Sequence, residues 1–220
     1  MKKFLLLVSI ILLSISAYGQ ECDAVTDEPV FRDGEMDRAT KAIGLNYKLP
    51  KGYTMTGAFD LQYPPANPIE LKRTTVGAKA AKWRHEDKEC ILFIECAGAK
   101  TIIDKSIDEV PEYVFFWIRR TLNMDYSDIK TTDEQMEKLK KYIRIWPPLK
   151  SQKVFNAQYV ITYPIKDKKA VYQGKYRHRL DYIIVKWGES LTVSFLLTRK
   201  GYRNIDKYIK DVEGAFWFDD

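Results

Sequence analysis

The sequence has 220 residues, of which 36 are lysine or arginine and 30 are aspartate or glutamate, giving a formal net charge of +6 at pH 7. This excess is mild, whereas nucleic-acid-binding proteins gather basic residues into a patch, so we expect no nucleic-acid partner. Aromatic residues make up 13% of the chain, which favours a packed globular domain over disorder. A chain of this length suits one domain with a full-sized core.

The N-terminal residues have the layout of a secretory signal peptide. Two lysines precede an almost unbroken apolar run at residues 4–15, and Ala17 and Gly19 are small residues at positions −3 and −1 of a cleavage site. The apolar run is shorter than the about 20 residues of a comfortable membrane span. We expect removal of residues 1–19, a periplasmic or secreted protein, and no transmembrane segment after cleavage; an uncleaved anchor is the alternative. The segment resembles signal peptides of Bacteroides-type bacteria.

Cys22 lies close to the expected cleavage site, where a lipid anchor is a second alternative. A lipid-modified cysteine follows small residues directly, whereas Glu21 precedes this one. We therefore favour a soluble exported protein over a lipid-anchored one.

The remaining chain divides into a polar lead-in segment at residues 20–44 and a single α+β domain at residues 45–220. Two capping-box patterns, Ser106 to Glu109 and Thr132 to Gln135, predict helix starts. Gly188 and Glu189, between two apolar runs, predict a two-residue type II′ hairpin turn. We expect helices near residues 33–43, 106–124, 133–145 and 202–214, and strands near residues 47–49, 53–59, 69–76, 80–84, 89–97, 154–163, 176–187 and 191–198. The expected fold is a single antiparallel β-sheet of about six or seven strands packed by two or three helices.

The stretch HEDKECILFIEC, residues 85–96, is the richest in chemically reactive side chains. On a strand, Cys90 and Cys96 share one face but lie about 20 Å apart, at about 3.3 Å per residue. They are too far apart for a disulfide or for one zinc ion. Cys22 is the remaining partner in an oxidising compartment, and we favour its pairing with Cys96 over Cys90. Three free thiols are the alternative.

Two further groups of residues are candidates for binding. His85, Glu86 and Asp87 include metal-ligand types, but lack the spacing of a zinc protease and suit a polar turn equally well. Lys175, Arg177 and Arg179 alternate on one face of a predicted strand, where they form a possible anion- or partner-binding face, or a solvated outer face of the sheet.

No nucleophile elbow, phosphate-binding loop or dinucleotide-binding glycine pattern occurs, so we expect no cofactor. We therefore expect an exported non-enzymatic binding or accessory module, with an unknown protein or small-molecule ligand as its partner. A small exported hydrolase that uses dispersed carboxylates is the alternative, because spatial pairing of acids is invisible in a sequence.

The element order is early hairpins, then helices, a three-strand meander and a C-terminal helix. This order resembles the PsbP-like fold, which is known from an accessory subunit of the photosynthetic oxygen-evolving complex and from many exported bacterial proteins. The resemblance covers residues 45–218 and rests on element order, so no functional residue is carried over. It implies a binding or assembly role rather than catalysis.

Overall fold

The computed structural model describes residues 34–59, 80–98, 110, 112–122, 124, 127–165 and 175–220. These residues form an α+β fold built on a seven-stranded antiparallel sheet with helices on both faces, which confirms the predicted fold class. A second, two-stranded sheet was not predicted. The expected signal peptide, Cys22, the strand at residues 69–76 and the Ser106 capping box lie outside the described residues.

The helices are α1 (Glu35–Ala42), α2 (Glu112–Thr121), α3 (Asp133–Leu139), α4 (Pro148–Phe155), α5 (Arg199–Arg203) and α6 (Ile205–Glu213). The strands are β1 (Leu45–Tyr47), β2 (Tyr53–Phe59), β3 (Ala80–His85), β4 (Cys90–Gly98), β5 (Arg144–Ile145), β6 (Tyr159–Ile165), β7 (His178–Lys186), β8 (Glu189–Leu197) and β9 (Phe216–Phe218). The large sheet has the order β2-β3-β4-β8-β7-β6-β5, and β1 pairs with β9.

The main core lies on one face of the large sheet. Alternate residues of its central strands, such as Leu92 on β4 and Phe195 on β8, are fully buried there. Helices α1, α4 and α6 and the small sheet cover this face. Trp83 stacks on Phe216 with ring centroids 5.0 Å apart, which holds the small sheet against β3. Burial of large side chains of this kind contributes about 1.5 to 3 kcal/mol each.

The other face is covered by α2 and α3 where it is formed by β6 and β7. Ile118 of α2 and Leu139 of α3 pack against Ile161 and Val185, and all four are completely buried. A helix that carries apolar side chains around much of its surface, as α2 does, is usually buried.

Helix α3 begins as predicted and ends earlier. The Thr132 side chain accepts a hydrogen bond from the Gln135 amide, and the Gln135 side chain accepts one from the Thr132 amide, which confirms the capping box. The helix ends at Leu139, so the expected end near residue 145 is wrong. Arg144 and Ile145 instead pair with β6, because strand pairing satisfies their backbone groups at the sheet edge.

The predicted strand at residues 154–163 is wrong in its first part, where the chain forms α4. Proline at the first helical position has a backbone angle already suited to a helix and lacks an amide that would go unpaired. Pro148 therefore starts a helix as well as ending the preceding segment, and β6 begins only at Tyr159.

The predicted C-terminal helix is interrupted at Asn204. Thr198 caps α5 by accepting a hydrogen bond from the Gly201 amide, so helical structure begins earlier than expected, at Arg199. The final apolar residues pair with β1, residue Leu45 opposite Phe218. None of the helices in the described ranges has the length and apolar character needed to cross a membrane.

Candidate functional site

An open cleft of about 660 Å³ lies where β7 turns into β8. This volume falls in the range of small-molecule sites, about 300 to 1,000 Å³. The cleft is lined by residues at four-residue intervals along α4 and at its end, by the β7–β8 turn and by Asp220. The lining residues are Pro148, Gln152, Asn156, Ala157, Gln158, Tyr159, Lys186, Trp187 and Asp220.

The β7–β8 turn places Trp187 at the cleft. Lys186 pairs with Glu189, so the loop residues are Trp187 and Gly188, and the predicted Gly188–Glu189 loop is wrong by one residue. Their φ angles are 47° and 83°. Two positive φ angles are the mark of a type I′ turn, which matches the twist of the paired strands. Holding tryptophan in this left-handed region costs about 1 to 2 kcal/mol.

The turn is fixed to the rest of the cleft by polar contacts. The Trp187 amide donates to Gln158 Oε1 at 2.7 Å. The Lys186 ammonium lies 4.5 Å from the centre of the Trp187 ring and donates to the Asp219 carbonyl oxygen. Trp187 nevertheless keeps 41% of its surface exposed. The ring is therefore held in place and remains accessible from the cleft.

Asn156 joins α4 to the C-terminal residues. It ends the helix in the left-handed conformation, with φ 50° and ψ 41°, which asparagine tolerates better than most residues. Its side-chain amide donates to the Phe218 carbonyl at 2.9 Å and to Asp220 Oδ1 at 3.0 Å. This contact sets the position of Asp220 in the cleft wall.

The lining combines three side-chain amides, a phenol, an indole, an ammonium group and one carboxylate. Amides offer both donors and acceptors to a ligand, and aromatic rings offer flat apolar surface. Neither Trp187 nor the amides were singled out from the sequence. A tryptophan followed by glycine at a hairpin tip is the signal that could have indicated the site.

The predicted basic face is divided by the fold. Lys175 donates to the Lys88 carbonyl at 2.7 Å and Arg177 is exposed, whereas Arg179 is only 5% exposed. Arg179 instead forms an ion pair with Asp181 and donates to Ser194 Oγ at 3.2 Å. Anion binding at Lys175 and Arg177 stays a prediction, and Arg179 belongs to a buried polar network.

Of the candidate ligands His85, Glu86 and Asp87, only His85 is buried, and the other two are exposed. His85 is 3% exposed, and its Nδ1 lies 2.8 Å from Asp87 Oδ1. The His85 ring packs edge-on against Tyr53 and Tyr208, with centroids 4.8 and 5.3 Å away. Across the described ranges, no three potential ligand side chains gather in a way that could hold a metal ion.

The two cysteines of β4 share one face, as predicted, and they form no disulfide within the part of the chain that the structure describes. Burial raises the pKa of Cys90 well above its usual value and that of Cys96 to about 12. Thiolate is the reactive form, so neither thiol has the character of a nucleophile. Pairing of either cysteine with Cys22 is untested, because Cys22 lies outside the described residues.

No protein-family model matches the sequence, and no curated protein does. The structure is similar to the solution structure of cyanobacterial PsbP (CyanoP) from Synechocystis sp. PCC 6803. The identity is 12% and the TM-score 0.40, over 81% of this chain and 88% of that chain.

Proposed function

We propose that the protein is an exported, non-enzymatic binding module that holds a polar ligand in the cleft. The observation that carries this proposal is the exposure of Trp187 together with its backbone conformation. A large aromatic residue stands 41% exposed at the cleft, in a backbone conformation that favours glycine or asparagine. Strain of this kind is typical of residues retained for function rather than for stability.

The cleft chemistry suits a neutral, hydroxyl-bearing ligand with a flat apolar face, which is the chemistry of a saccharide. Gln152 and Gln158 supply amide groups for hydroxyl groups, and Trp187 supplies a surface on which a sugar ring stacks. Lys186, which is the one lysine in the described part of the lining, already donates to the Asp219 carbonyl oxygen. A neutral ligand is therefore favoured over an anionic one.

The alternative function is a small exported hydrolase with dispersed carboxylates. Such an enzyme places two carboxyl groups about 5 to 10 Å apart around the scissile bond. Among the cleft-lining residues that the structure describes, Asp220 is the one acidic side chain. This count supports binding without hydrolysis at this site.

The proposal is tested by titrating the protein with a panel of neutral oligosaccharides, followed by NMR shifts and by intrinsic fluorescence. Trp187→Ala should weaken binding about tenfold or more. Trp217→Ala is the matched control, because Trp217 is equally exposed at 43% but lies on β9, outside the cleft lining. We expect the control to bind like the original protein.

The same panel also separates binding from hydrolysis. We expect every bound oligosaccharide to be recovered unchanged after prolonged incubation. Hydrolysis that Asp220→Asn abolishes would establish the hydrolase instead, and equal binding by the two tryptophan variants would rule out the cleft as the site.

A further inference from the structure

The edge of the large sheet exposes several large apolar side chains. We call residues 140–153 the edge segment; it runs from the end of α3 through β5 into α4. Within it, Tyr142 is 50% exposed, Ile145 48% and Leu149 81%. Ile145 is three or four residues from each of the others, so its Cα lies within about 14 Å of both. The three side chains therefore lie along one edge of the sheet, where the chain passes from α3 on one face to α4 on the other.

The exposure of Leu149 follows from the register of α4. Leu149 and Lys153 are one turn apart and share a side of the helix. The buried residues of α4, Ser151 and Phe155, lie on the opposite side. The helix is thus oriented by its buried side so that an aliphatic and a cationic side chain face solvent together.

The edge segment is also strongly basic. Residues 140–153 contain five basic residues and no acidic one. Lys140 pairs with Glu137, and Lys150 lies 3.7 Å from Glu213. The other three, Lys141, Arg144 and Lys153, form no ion pair with a carboxylate in the part of the chain that the structure describes.

Exposed aliphatic and aromatic groups beside exposed cations have the chemistry of a membrane-interface surface. The apolar groups enter the boundary between lipid headgroups and acyl chains, and the cations bind anionic headgroups. We propose that the edge segment docks the protein onto an anionic lipid membrane. Addition of a partner strand is a poorer explanation, because β5 has two residues and is followed by Pro147 and Pro148.

The test is co-sedimentation of the full chain with vesicles of phosphatidylcholine, alone or mixed with phosphatidylglycerol. We expect binding to the mixed vesicles that weakens with added salt, and little binding to phosphatidylcholine alone. Lys141→Glu, Arg144→Glu and Lys153→Glu should each weaken binding at least about fivefold, because one basic residue near such a surface contributes about 1 kcal/mol. Leu149→Ser should also weaken it.

Arg199→Glu is the matched control, because Arg199 is exposed and lies on α5, which packs against β8. It should bind the mixed vesicles more tightly than the edge-segment variants do. Residues 4–15 are the same in every variant, so their own membrane affinity does not affect the comparison. Equal binding of all variants to the mixed vesicles would refute membrane docking by the edge segment. Binding to polyglutamate in place of vesicles would also refute it and would point to an acidic protein partner. None of the substituted residues lines the cleft, and the vesicle assay is run without saccharide.

Discussion

Arg179 and Asp181 lie two residues apart on the same face of β7 and form a bidentate ion pair. Arg179 Nε is 2.6 Å from Asp181 Oδ1, and Nη2 is 2.5 Å from Oδ2. The two residues are 5% and 0% exposed. Burial alone lowers the pKa of Arg179, while the charge and hydrogen bonds of Asp181 raise it. The Asp181 carboxylate therefore balances the charge of the buried Arg179 side chain.

Asp181→Ala should destabilise the fold by about 3 to 5 kcal/mol, because it removes the carboxylate that balances a buried guanidinium group. The free energy of unfolding in urea measures this cost. Replacing both members, Arg179→Met with Asp181→Leu, should recover most of it, because apolar side chains then replace the buried ion pair.

Glu134→Ala serves as the control for the ion-pair prediction. Glu134 pairs with Lys138 on the exposed side of α3, and we expect no measurable change in the urea midpoint. A similarly small change for Asp181→Ala would contradict the importance of the buried pair.

Gly201 is a position where close packing requires glycine. A Cβ atom there would overlap the carbonyl oxygen of Glu89 and lie 3.1 Å from its carbon. The same carbonyl oxygen accepts a hydrogen bond from the Thr198 amide at 3.1 Å, and moving the oxygen would break this hydrogen bond. Gly201→Ala should destabilise the fold by about 1 to 3 kcal/mol.

Gly214→Ala is the matched control for Gly201→Ala in thermal unfolding. At Gly214 the nearest atom to an added Cβ is 3.7 Å away, an ordinary contact. Its φ of −97° suits any residue. We expect a neutral effect or a small gain in melting temperature, because alanine restricts the unfolded chain. Equal losses of melting temperature for both variants would show that the surrounding structure shifts to relieve the clash at Gly201.

Trp187→Asn should make the protein more stable while weakening ligand binding in the cleft. Asparagine tolerates the left-handed backbone of this turn, so relief of strain should add about 0.5 to 1 kcal/mol to the free energy of unfolding. Lys88→Asn relieves a comparable φ of 60° outside the cleft and should stabilise without affecting the ligand. Loss of stability in Trp187→Asn would mean that the ring contacts outweigh the strain.

Local features of the sequence predicted local features of the structure. The alternation along β4 predicted that Cys90 and Cys96 share one face, and the Thr132–Gln135 pattern predicted the start of α3. In each case the deciding contacts lie within one element. The error at α4 has a local cause as well, since proline both ends one helix and begins another.

The cleft could not be predicted from the sequence, because it is assembled from distant parts of the chain. Asn156 meets Asp220 across 64 residues, and Trp187 meets Gln158 across 29. The pairing of Leu45 with Phe218 likewise depends on tertiary contacts that no periodicity encodes. An acid inside the apolar strand β7, Asp181, was a readable sign of a buried network near Arg179.

Asp87 should make stability depend on acidic pH. Burial alone raises the pKa of Asp87, but hydrogen bonds from the Glu89 amide, Tyr208 and His85 lower it from 3.8 to about 2. A folded pKa below the unfolded one stabilises the fold above the unfolded value, and this contribution disappears as the pH falls from about 4 to about 2. After allowance for solvent screening it amounts to about 1 kcal/mol.

Urea unfolding of Asp87→Asn checks this prediction. The variant should be about 1 kcal/mol less stable than the original protein at about pH 6, and the difference should vanish at about pH 2. Tyr208→Phe removes one of the donors and should give part of the effect. A constant difference across this pH range would mean that Asp87 does not titrate differently in the folded state.

The thiols provide a test of the N-terminal predictions. Cys90 is completely buried, and burial raises the pKa of both β4 cysteines, so neither should react with a thiol reagent in the folded protein at neutral pH. If a disulfide to Cys22 is present, labelling in urea without reductant should modify one cysteine. Labelling after reduction should then modify all three. We expect the bond at Cys96, which is less buried than Cys90. Three labelled thiols before reduction would exclude the disulfide.

The intact mass of the exported protein tests the signal peptide and should correspond to a chain without residues 1–19. A lipid adduct would contradict a soluble form.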